Sequence, residues 1–240
     1  MSDFLIECRG LYKSYGLRPA LSGVDLEVGP GRIVGLLGKT TLIKLLCGLL
    51  RPTTGWLAID GEEIGPYTKS VVSYLPDRMY FADWMKAVDL FDLFQDFYAD
   101  FDGQKALAMC RSLGVEPKDR LKSMSKGTKE KVQLVLAMSR AAKLYLLDEP
   151  IAGVDPAARD FILRTILTNY NPEGTVLLST HLISDIEKVL DEAIFLKEGR
   201  IMLHTTVDNI REKEGKSVDA LFREIFRAQP MWEGGEDDAV

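Results

Sequence analysis

The sequence has no long apolar run, few cysteines and only two histidines. No stretch of its 240 residues approaches the roughly 20 apolar residues that cross a bilayer, so we expect no membrane span. Its three cysteines are scattered, which gives no metal-ligand spacing and fits a reducing compartment. Residues 1–4 contain neither a basic region nor an apolar core, so no secretory leader is expected there.

Basic residues are fewer than acidic ones. Lys and Arg number 30 against 36 Asp and Glu, which gives a net charge of −6 and an isoelectric point near 5.1. This balance argues against a nucleic-acid partner and against bulk affinity for anionic lipid. The remaining composition, 46% hydrophobic and 28% charged residues, is ordinary for a globular protein that buries a core.

Strand-like and helical patterns alternate along the chain, except over one long stretch that is helical only. Short apolar runs typical of buried strands alternate with helical patterns, which predicts an α/β fold. Residues 82–122 are helical throughout and rich in Phe, Leu and Asp, which predicts an inserted helical subdomain. The predicted strands are residues 4–8, 24–28, 32–37, 56–59, 71–75, 143–147, 175–179 and 193–196, and the predicted helices are residues 40–50, 125–141, 207–213 and 218–227, with a further helix opening at Pro156.

The most informative stretch is residues 143–150, which read Lys-Leu-Tyr-Leu-Leu-Asp-Glu-Pro. The apolar run predicts a strand buried on both faces, and open α/β sheets bind ligands at the carboxyl ends of such strands. Asp148 is placed there to hold a metal ion, directly or through water, and Glu149 to act on a water molecule. This chemistry is that of Mg²⁺-dependent nucleotide hydrolysis. Taken alone, the pair could equally be a solvated acidic turn.

Four further segments surround this stretch in a fixed order. Residues 35–41 lie between a predicted strand and a helix, residues 124–131 open a helix, residues 152–156 follow the acidic pair, and residues 177–181 end in His181. In chain order, with residues 143–150 in third place, the five segments resemble the Walker A, signature, Walker B, D-loop and switch-histidine segments of the ATP-binding-cassette (ABC) ATPases. The resemblance covers residues from about 4 to 205.

The resemblance implies a fold and a division into parts. The fold is α/β, with a P-loop NTPase core built on a mixed or parallel sheet, an N-terminal antiparallel β-subdomain and an inserted α-helical subdomain. Residues 1–78 and 142–228 would form the RecA-like ATP-binding core with the β-subdomain. Residues 79–141 would form the helical signature subdomain. Residues 229–240 form an acidic tail that is predicted to be disordered.

The resemblance also implies a role for each motif residue. The implied catalytic residues are Glu149, as general base, and His181, which contacts the γ-phosphate; the nucleotide-binding residues are Tyr15, Gly38, Lys39, Thr40, Thr41, Ser125 and Gly127; the metal-binding residues are Thr40, Asp77 and Asp148; and Asp155 couples the two sites of a dimer. Asp77 departs from the family, which usually carries glutamine there. The signature departs as well, because Met-Ser-Lys-Gly-Thr replaces Leu-Ser-Gly-Gly-Gln.

The phosphate-binding segment departs furthest from its motif. Such a loop needs Gly-x-x-x-x-Gly-Lys-[Ser/Thr], but Gly38 is followed at once by Lys39 and Thr40, so five residues are missing. Either the native protein carries a loop that the sequence as written omits, which we favour, or the deletion is genuine. A genuine deletion would remove most of the backbone N–H groups that cradle phosphate, and should weaken nucleotide binding.

The resemblance implies an ATP-binding and ATP-hydrolysing subunit that powers a separate membrane permease. The Ser-Lys-Gly-Thr-Lys signature and short C-terminus resemble those of simple two-component exporters, so export is favoured. The implied cofactors are ATP and Mg²⁺. The implied partners are a second cassette, identical or different, and transmembrane subunits, with no nucleic acid. The expected location is cytoplasmic, at the inner face of the cell membrane.

Two other functions stay open. If the Walker A deletion is genuine, the chain is a catalytically impaired regulatory or structural ABC subunit. A soluble cassette acting on ribosomes or DNA ranks last, because such proteins usually carry two cassettes or a long coiled-coil insertion. The aromatic-rich residues 80–101 are a candidate docking surface for the permease, although we expect most of their rings to lie in the core.

Overall fold

The computed structural model describes residues 3–38, 41–152 and 154–226. Lys39, Thr40 and the acidic tail lie outside the described residues. Within the described residues, ten strands form two sheets, and nine α-helices pack around them. The strands are β1 (Ile6–Tyr15), β2 (Arg18–Val28), β3 (Ile33–Leu37), β4 (Thr54–Ile59), β5 (Glu62–Glu63), β6 (Val72–Leu75), β7 (Leu144–Asp148), β8 (Thr175–Ser179), β9 (Glu192–Lys197) and β10 (Arg200–Thr206). The helices are α1 (Thr41–Leu46), α2 (Pro66–Val71), α3 (Ala87–Phe97), α4 (Gly103–Leu113), α5 (Lys126–Met138), α6 (Pro156–Asn169), α7 (Ile183–Ile186), α8 (Val207–Asn209) and α9 (Val218–Phe226).

The smaller sheet is antiparallel and has the strand order β2-β1-β4-β5. The β4–β5 hairpin turns at Asp60 and Gly61, whose φ angles are +54° and +78°. A two-residue hairpin turn whose twist matches its strands needs positive φ at both positions, which glycine adopts freely and aspartate tolerates. The predicted hairpin and the predicted antiparallel β-subdomain are both present.

The larger sheet is mixed and has the order β10-β9-β3-β8-β7-β6. Five neighbouring strands, β9 to β6, run parallel, and β10 pairs antiparallel with β9 at one edge. The carboxyl ends of β3, β7 and β8 therefore lie side by side at one edge of the sheet. This is where an open α/β sheet presents ligand-binding groups.

Every residue of β7 and β8 is buried, because both faces of the large sheet are covered. Leu144 and Leu146 pack with α1 and the antiparallel sheet, while Tyr145 and Leu147 pack with the helices of the opposite face. Since side chains alternate along a strand, one apolar run supplies both cores.

Helices α3, α4 and α5 pack together between β6 and β7 in sequence, within the predicted helical region. In the aromatic stretch, Phe91 and Phe101 are buried, but Tyr80, Trp84 and Phe97 have 60%, 66% and 74% of their surface exposed. Phe81, Phe94 and Tyr98 are partly buried and pack against the core, so most rings of the stretch lie in or against the core, as expected. Within the described part of the chain, no helix is both long enough and apolar enough to span a membrane.

Several predicted boundaries differ from the observed ones. The helix predicted over residues 40–50 ends at Leu46, because Gly48 adopts a left-handed φ of +69°. The helix predicted over residues 125–141 ends at Met138, where Ser139 leaves the helical conformation. Helix α2 and strand β10 were not predicted. The predicted helix 207–213 is divided into α8 and a π-helical turn, Ile210–Glu214.

Candidate functional site

Two neighbouring strand ends, those of β7 and β8, bring the candidate catalytic residues together. Asp148 is the last residue of β7 and pairs in register with Ser179, the last residue of β8. Glu149 follows β7 directly, and His181 follows β8 after one intervening residue. The parallel register of β7 and β8 thus converts two distant sequence segments into neighbours.

Asp148 is a buried carboxyl group that is only half satisfied. Its Oδ1 accepts a hydrogen bond from the Ser179 hydroxyl at 2.7 Å, whereas Oδ2 has no hydrogen-bond partner among the described residues. Burial raises the pKa of Asp148; the Ser179 bond and Lys44 oppose this rise, and the negative charges of Asp77 and Glu149 add to it. An unpartnered buried carboxylate oxygen is costly, and Oδ2 is free to accept a hydrogen bond or a cation.

Glu149 is held by its backbone in an uncommon conformation. Its φ is +52°, which is strained for a side chain of this size, and its N–H donates to the Ser179 carbonyl at 3.0 Å. Nδ1 of His181 lies 3.1 and 3.0 Å from the two carboxylate oxygens of Glu149. The two predicted catalytic side chains are therefore in direct contact. Such a pair can orient a water molecule and accept its proton.

Glu149 and His181 border a cleft of about 610 Å³. Six of the predicted site residues line it, namely Asp77, Ser125, Gly127, Glu149, Asp155 and His181. The signature segment and the catalytic pair of one chain thus face a common space. Exposed Phe161 and partly buried Lys131 also line the cleft, and neither was singled out from the sequence.

The signature serine begins helix α5. Ser125 is its N-cap: the Ser125 hydroxyl accepts from the Thr128 N–H at 3.1 Å and lies 2.8 Å from the Thr128 hydroxyl. Gly127, in the first turn, is exposed. The positive end of a 13-residue helix therefore opens toward the cleft, where it favours an anionic group.

The remaining predicted nucleotide-binding residues do not line this cleft. Gly38 follows β3 with φ of +146°, and a Cβ there would lie 2.2 Å from the Leu196 carbonyl oxygen, so only glycine fits. Thr41 is the first residue of α1. Tyr15 ends β1 with 51% of its surface exposed, and the Lys13 ammonium lies 5.4 Å from the centre of its ring. Lys39 and Thr40 lie outside the described residues.

Residue types at the strand ends fit a magnesium ion. Mg²⁺ in nucleotide enzymes is usually held by one or two carboxylates together with phosphate oxygens and water. Asp148 offers its unpartnered Oδ2, and Asp77 has a side chain that is 44% exposed and close enough to influence the Asp148 pKa. Across residues 3–38, 41–152 and 154–226, no three Asp, Glu, His or Cys side chains form a metal-ligand group. A bound nucleotide would have to complete the ligand set.

Sequence reasoning missed Ser179, although its hydroxyl donates to Oδ1 of Asp148 and its carbonyl accepts from the Glu149 N–H. It stands in the Leu-Leu-Ser-Thr-His segment, and pairing the two predicted parallel strands end to end would have placed it opposite Asp148. Gln133 was also missed. Its side-chain amide donates to the Arg78 carbonyl at 3.1 Å, and no local sequence pattern predicts a hydrogen bond between residues so far apart in the chain.

The fold and the strand-end site define a nucleotide-binding ATPase of the P-loop type, with an antiparallel β-subdomain and a helical insertion. The family model described as "ABC transporter" matches residues 21–152, and the chain therefore belongs to the ABC transporter family.

Individual relatives agree with this assignment. An ABC transporter ATP-binding protein of Synechocystis is 32% identical over 237 residues, covering 92% of this chain and 63% of the relative. The chain thus spans less than two thirds of that protein's length. A lantibiotic transport ATP-binding protein of Streptococcus pyogenes is 27% identical over 245 residues, covering 95% of this chain and 99% of the relative. A solved structure of an ATP-binding subunit of an ABC transporter superposes with a TM-score of 0.81 at 27% identity, covering 92% of this chain and 99% of that one.

These findings confirm the predicted family, the α/β fold and the place of the chain among the ATP-binding subunits of ABC transporters, which are ATPases. Nucleotide binding follows at the level of the family. The roles of individual residues, the magnesium ion, the dimer and the division into parts stay predictions.

Proposed function

We propose that this chain binds ATP with Mg²⁺ and hydrolyses it to drive a separate membrane permease. The observation that carries the proposal is the contact between Glu149 and His181 beside the orphaned Oδ2 of Asp148. A base, a residue that orients it and a carboxylate oxygen that could bind a cation are together what phosphoryl transfer to water needs.

Each side chain of the site has a specific task in this proposal. The Glu149 carboxylate polarises the attacking water and accepts its proton, and His181 fixes the carboxylate and contacts the γ-phosphate. Asp148 and Asp77, with the hydroxyl of Thr40, would hold Mg²⁺, which supplies electrostatic stabilisation of the phosphate charge when bound. Because Oδ1 of Asp148 is occupied by Ser179, Oδ2 is the oxygen left for the ion.

The proposed nucleotide contacts lie beside this pair. Gly38, Lys39, Thr40 and Thr41 would hold the phosphates, and Tyr15 would stack on adenine. The exposed ring of Tyr15 at a strand end supports the last assignment.

We propose that the active form is a dimer of cassettes. Ser125 and Gly127 would contact the γ-phosphate bound to the other copy, and Asp155 would couple the two sites. The exposed N-terminus of α5 supports this role. The parts that move relative to one another would be the predicted ATP-binding core, residues 1–78 and 142–228, and the helical subdomain, residues 79–141.

In this proposal, the free energy of ATP hydrolysis drives a conformational change in the permease. Exposed Trp84 and Phe97 offer apolar area for docking in the helical region. Docking on a permease would hold the chain on the cytoplasmic face of the membrane. The lantibiotic transport relative, together with the Ser-Lys-Gly-Thr-Lys signature, supports export.

The decisive variant is Glu149→Gln, which keeps the shape of the side chain and removes its basicity. We expect ATP turnover to fall by about 10²-fold or more, because a positioned general base contributes about 10²–10⁴ in rate. ATP affinity should change little, and the variant should accumulate as an ATP-bound dimer in light scattering. Glu173→Gln, an exposed loop change, is the matched control. Turnover in Glu149→Gln equal to that of the control would remove Glu149 as the base.

A second candidate function is a catalytically impaired regulatory or structural subunit. Two observations favour it: Gly38 is followed at once by Lys39, and Asp77 replaces the usual glutamine. Binding of a fluorescent ATP analogue to the purified chain, with its intact mass, separates the candidates. A mass of 26.8 kDa with no binding supports the impaired subunit. Binding with turnover, or a mass larger by about five residues, supports the hydrolase.

A further inference from the structure

The loop that carries Asp77 is attached to helix α5 by two side chains. This loop, residues 76–86, connects β6 to α3. Gln133 on α5 donates from Nε2 to the Arg78 carbonyl at 3.1 Å, and Lys129 forms an ion pair with Asp83 at 2.6 Å. Gln133 and Lys129 are four residues apart, so they lie on the same face of α5. The helix that begins at Ser125 therefore holds the Asp77 loop along one side.

The two contacts are not equivalent. Residues 83–85 are already fixed by backbone bonds from Leu121 to Met85 and from Lys122 to Asp83. Residues 76–82 form one backbone bond inside the loop, from the Met85 N–H to the Ala82 carbonyl. Within the described residues, the Gln133 amide is the one side chain from outside the loop that forms a hydrogen bond to this segment. Gln133 itself is 4% exposed and lines the same cleft as Asp77, Ser125 and Glu149. A buried amide is normally hydrogen-bonded, so its contact is costly to break.

We propose that Gln133, assisted by Lys129, is a positioning residue that fixes the Asp77 loop to the signature helix. Through this contact the position of Asp77 at the cleft is tied to the position of Ser125, the N-cap of the same helix. A movement of α5 would then carry Asp77 with it. The catalytic consequence rests on the proposed ATPase function, whereas the attachment itself does not.

Hydrogen exchange of the full chain, measured by mass spectrometry, tests the attachment without reference to activity. Gln133→Met keeps the length of the side chain and its helix propensity but removes the donor. We expect the peptide that contains the Met85 amide, which donates to the Ala82 carbonyl at 3.0 Å and so reports on residues 76–82, to exchange about five-fold faster, since a net hydrogen bond is worth about 1 kcal/mol. Exchange in β7 should stay unchanged. Lys131→Met is the matched control, because Lys131 lies on the same helix but donates to the Leu113 carbonyl.

Kinetics tests whether the attachment positions Asp77. In Gln133→Met we expect kcat to fall about three- to ten-fold with the KM for ATP within about two-fold, because the phosphate and adenine contacts are untouched. Gln133→Met in an Asp77→Asn background should lower kcat no further, since both substitutions remove the contribution of the positioned Asp77 carboxylate. Lys129→Met should show a smaller loss, and Lys129→Arg should restore the ion pair to Asp83.

Faster exchange in Gln133→Met with an unchanged kcat overturns the proposed positioning of Asp77. Faster exchange with a kcat loss that depends on Asp77 supports it. Unchanged exchange in both Gln133→Met and Lys129→Met overturns it, as does a kcat loss of equal size in the Asp77→Asn background. If the unmodified chain has no turnover, the proposed ATPase function fails, and the exchange measurement still decides whether Gln133 fixes the loop.

Discussion

Asp148 shows how a single residue at this site is held in an unfavourable state. It is 1% exposed, one of its oxygens has no partner among the described residues, and burial raises its pKa. A carboxyl group whose pKa is raised by folding favours the folded state below its unfolded pKa of 3.8. That contribution is lost as the pH rises through the folded pKa, because ionisation inside the protein costs more than ionisation in water.

We therefore predict that Asp148→Asn stabilises the chain in the absence of metal and nucleotide. At pH 7 the gain should be about 1 kcal/mol, because the variant no longer buries an unpaired charge. The gain should vanish near pH 4 and grow toward neutrality. Urea unfolding in EDTA at several pH values measures it. Saturating Mg²⁺ and ATP should stabilise the parent chain and not the variant. A stability difference that stays constant from pH 4 to pH 7 would contradict the assigned cause.

Among the structural elements, the junction between the helical region and the sheet depends on Arg140. This side chain is 2% exposed, donates to Asp100 at 2.6 Å and to the Val72 carbonyl at 3.1 Å, and bonds the Ser70 carbonyl. Its guanidinium carbon lies 3.7 Å from the ring centre of Tyr98. One residue thus joins the α3–α4 connection to the start of β6.

We predict that Arg140→Met destabilises the chain by about 3 kcal/mol, because removing one partner of a buried pair leaves the other charge and two carbonyls unsatisfied. Arg140→Lys should recover only part of the loss, since an ammonium group cannot serve three partners in the planar geometry of guanidinium. Urea unfolding monitored by circular dichroism measures both. The exposed Arg164→Met is the control and should stay within about 0.5 kcal/mol of the parent. An equal effect of both Met variants would remove Arg140 as the anchor.

The elements that sequence reasoning found are those whose signal is local. Strands β7 and β8 are continuous apolar runs, and Asp60-Gly61 specifies its own turn, so both were predicted within one residue. Helix α2 was missed because its six residues carry little periodicity, and β10 because its burial alternates between partial and exposed. At the site, Asp148, Glu149 and His181 were found from their order in the chain. The contacts of Ser179, Gln133 and Arg140 depend on packing between distant segments, which no local pattern encodes.

At the scale of the whole molecule, the fold is that of a complete cassette, whereas the phosphate-binding segment is too short for its motif. Both sheets, the α5 helix and the Glu149–His181 pair are complete, and the chain belongs to the ABC transporter family. Only two residues separate Gly38 from Thr41 at the end of β3, where a phosphate loop needs several converging backbone N–H groups. If the deletion is genuine, the cassette is otherwise prepared for nucleotide, and the loop alone limits its affinity.

Restoring the loop in the whole chain tests whether the loop alone limits nucleotide affinity. Inserting Gly-Ser-Gly-Ala-Gly between Gly38 and Lys39 restores the spacing of the motif and the missing N–H donors. We predict that ATP affinity, measured by calorimetry with Mg²⁺, tightens at least about ten-fold, since the added donors bind charged oxygens and each is worth about 1.5–3 kcal/mol before the cost of ordering the loop. The same insertion with Lys39→Ala should lose most of the gain.

Because the insertion lies between a strand end and a helix start, the melting temperature should stay within a few degrees of the parent value, as is usual for an added surface loop. A folded insertion variant that binds ATP no better than the parent would show that the rest of the cassette, and not the loop, is unable to hold nucleotide.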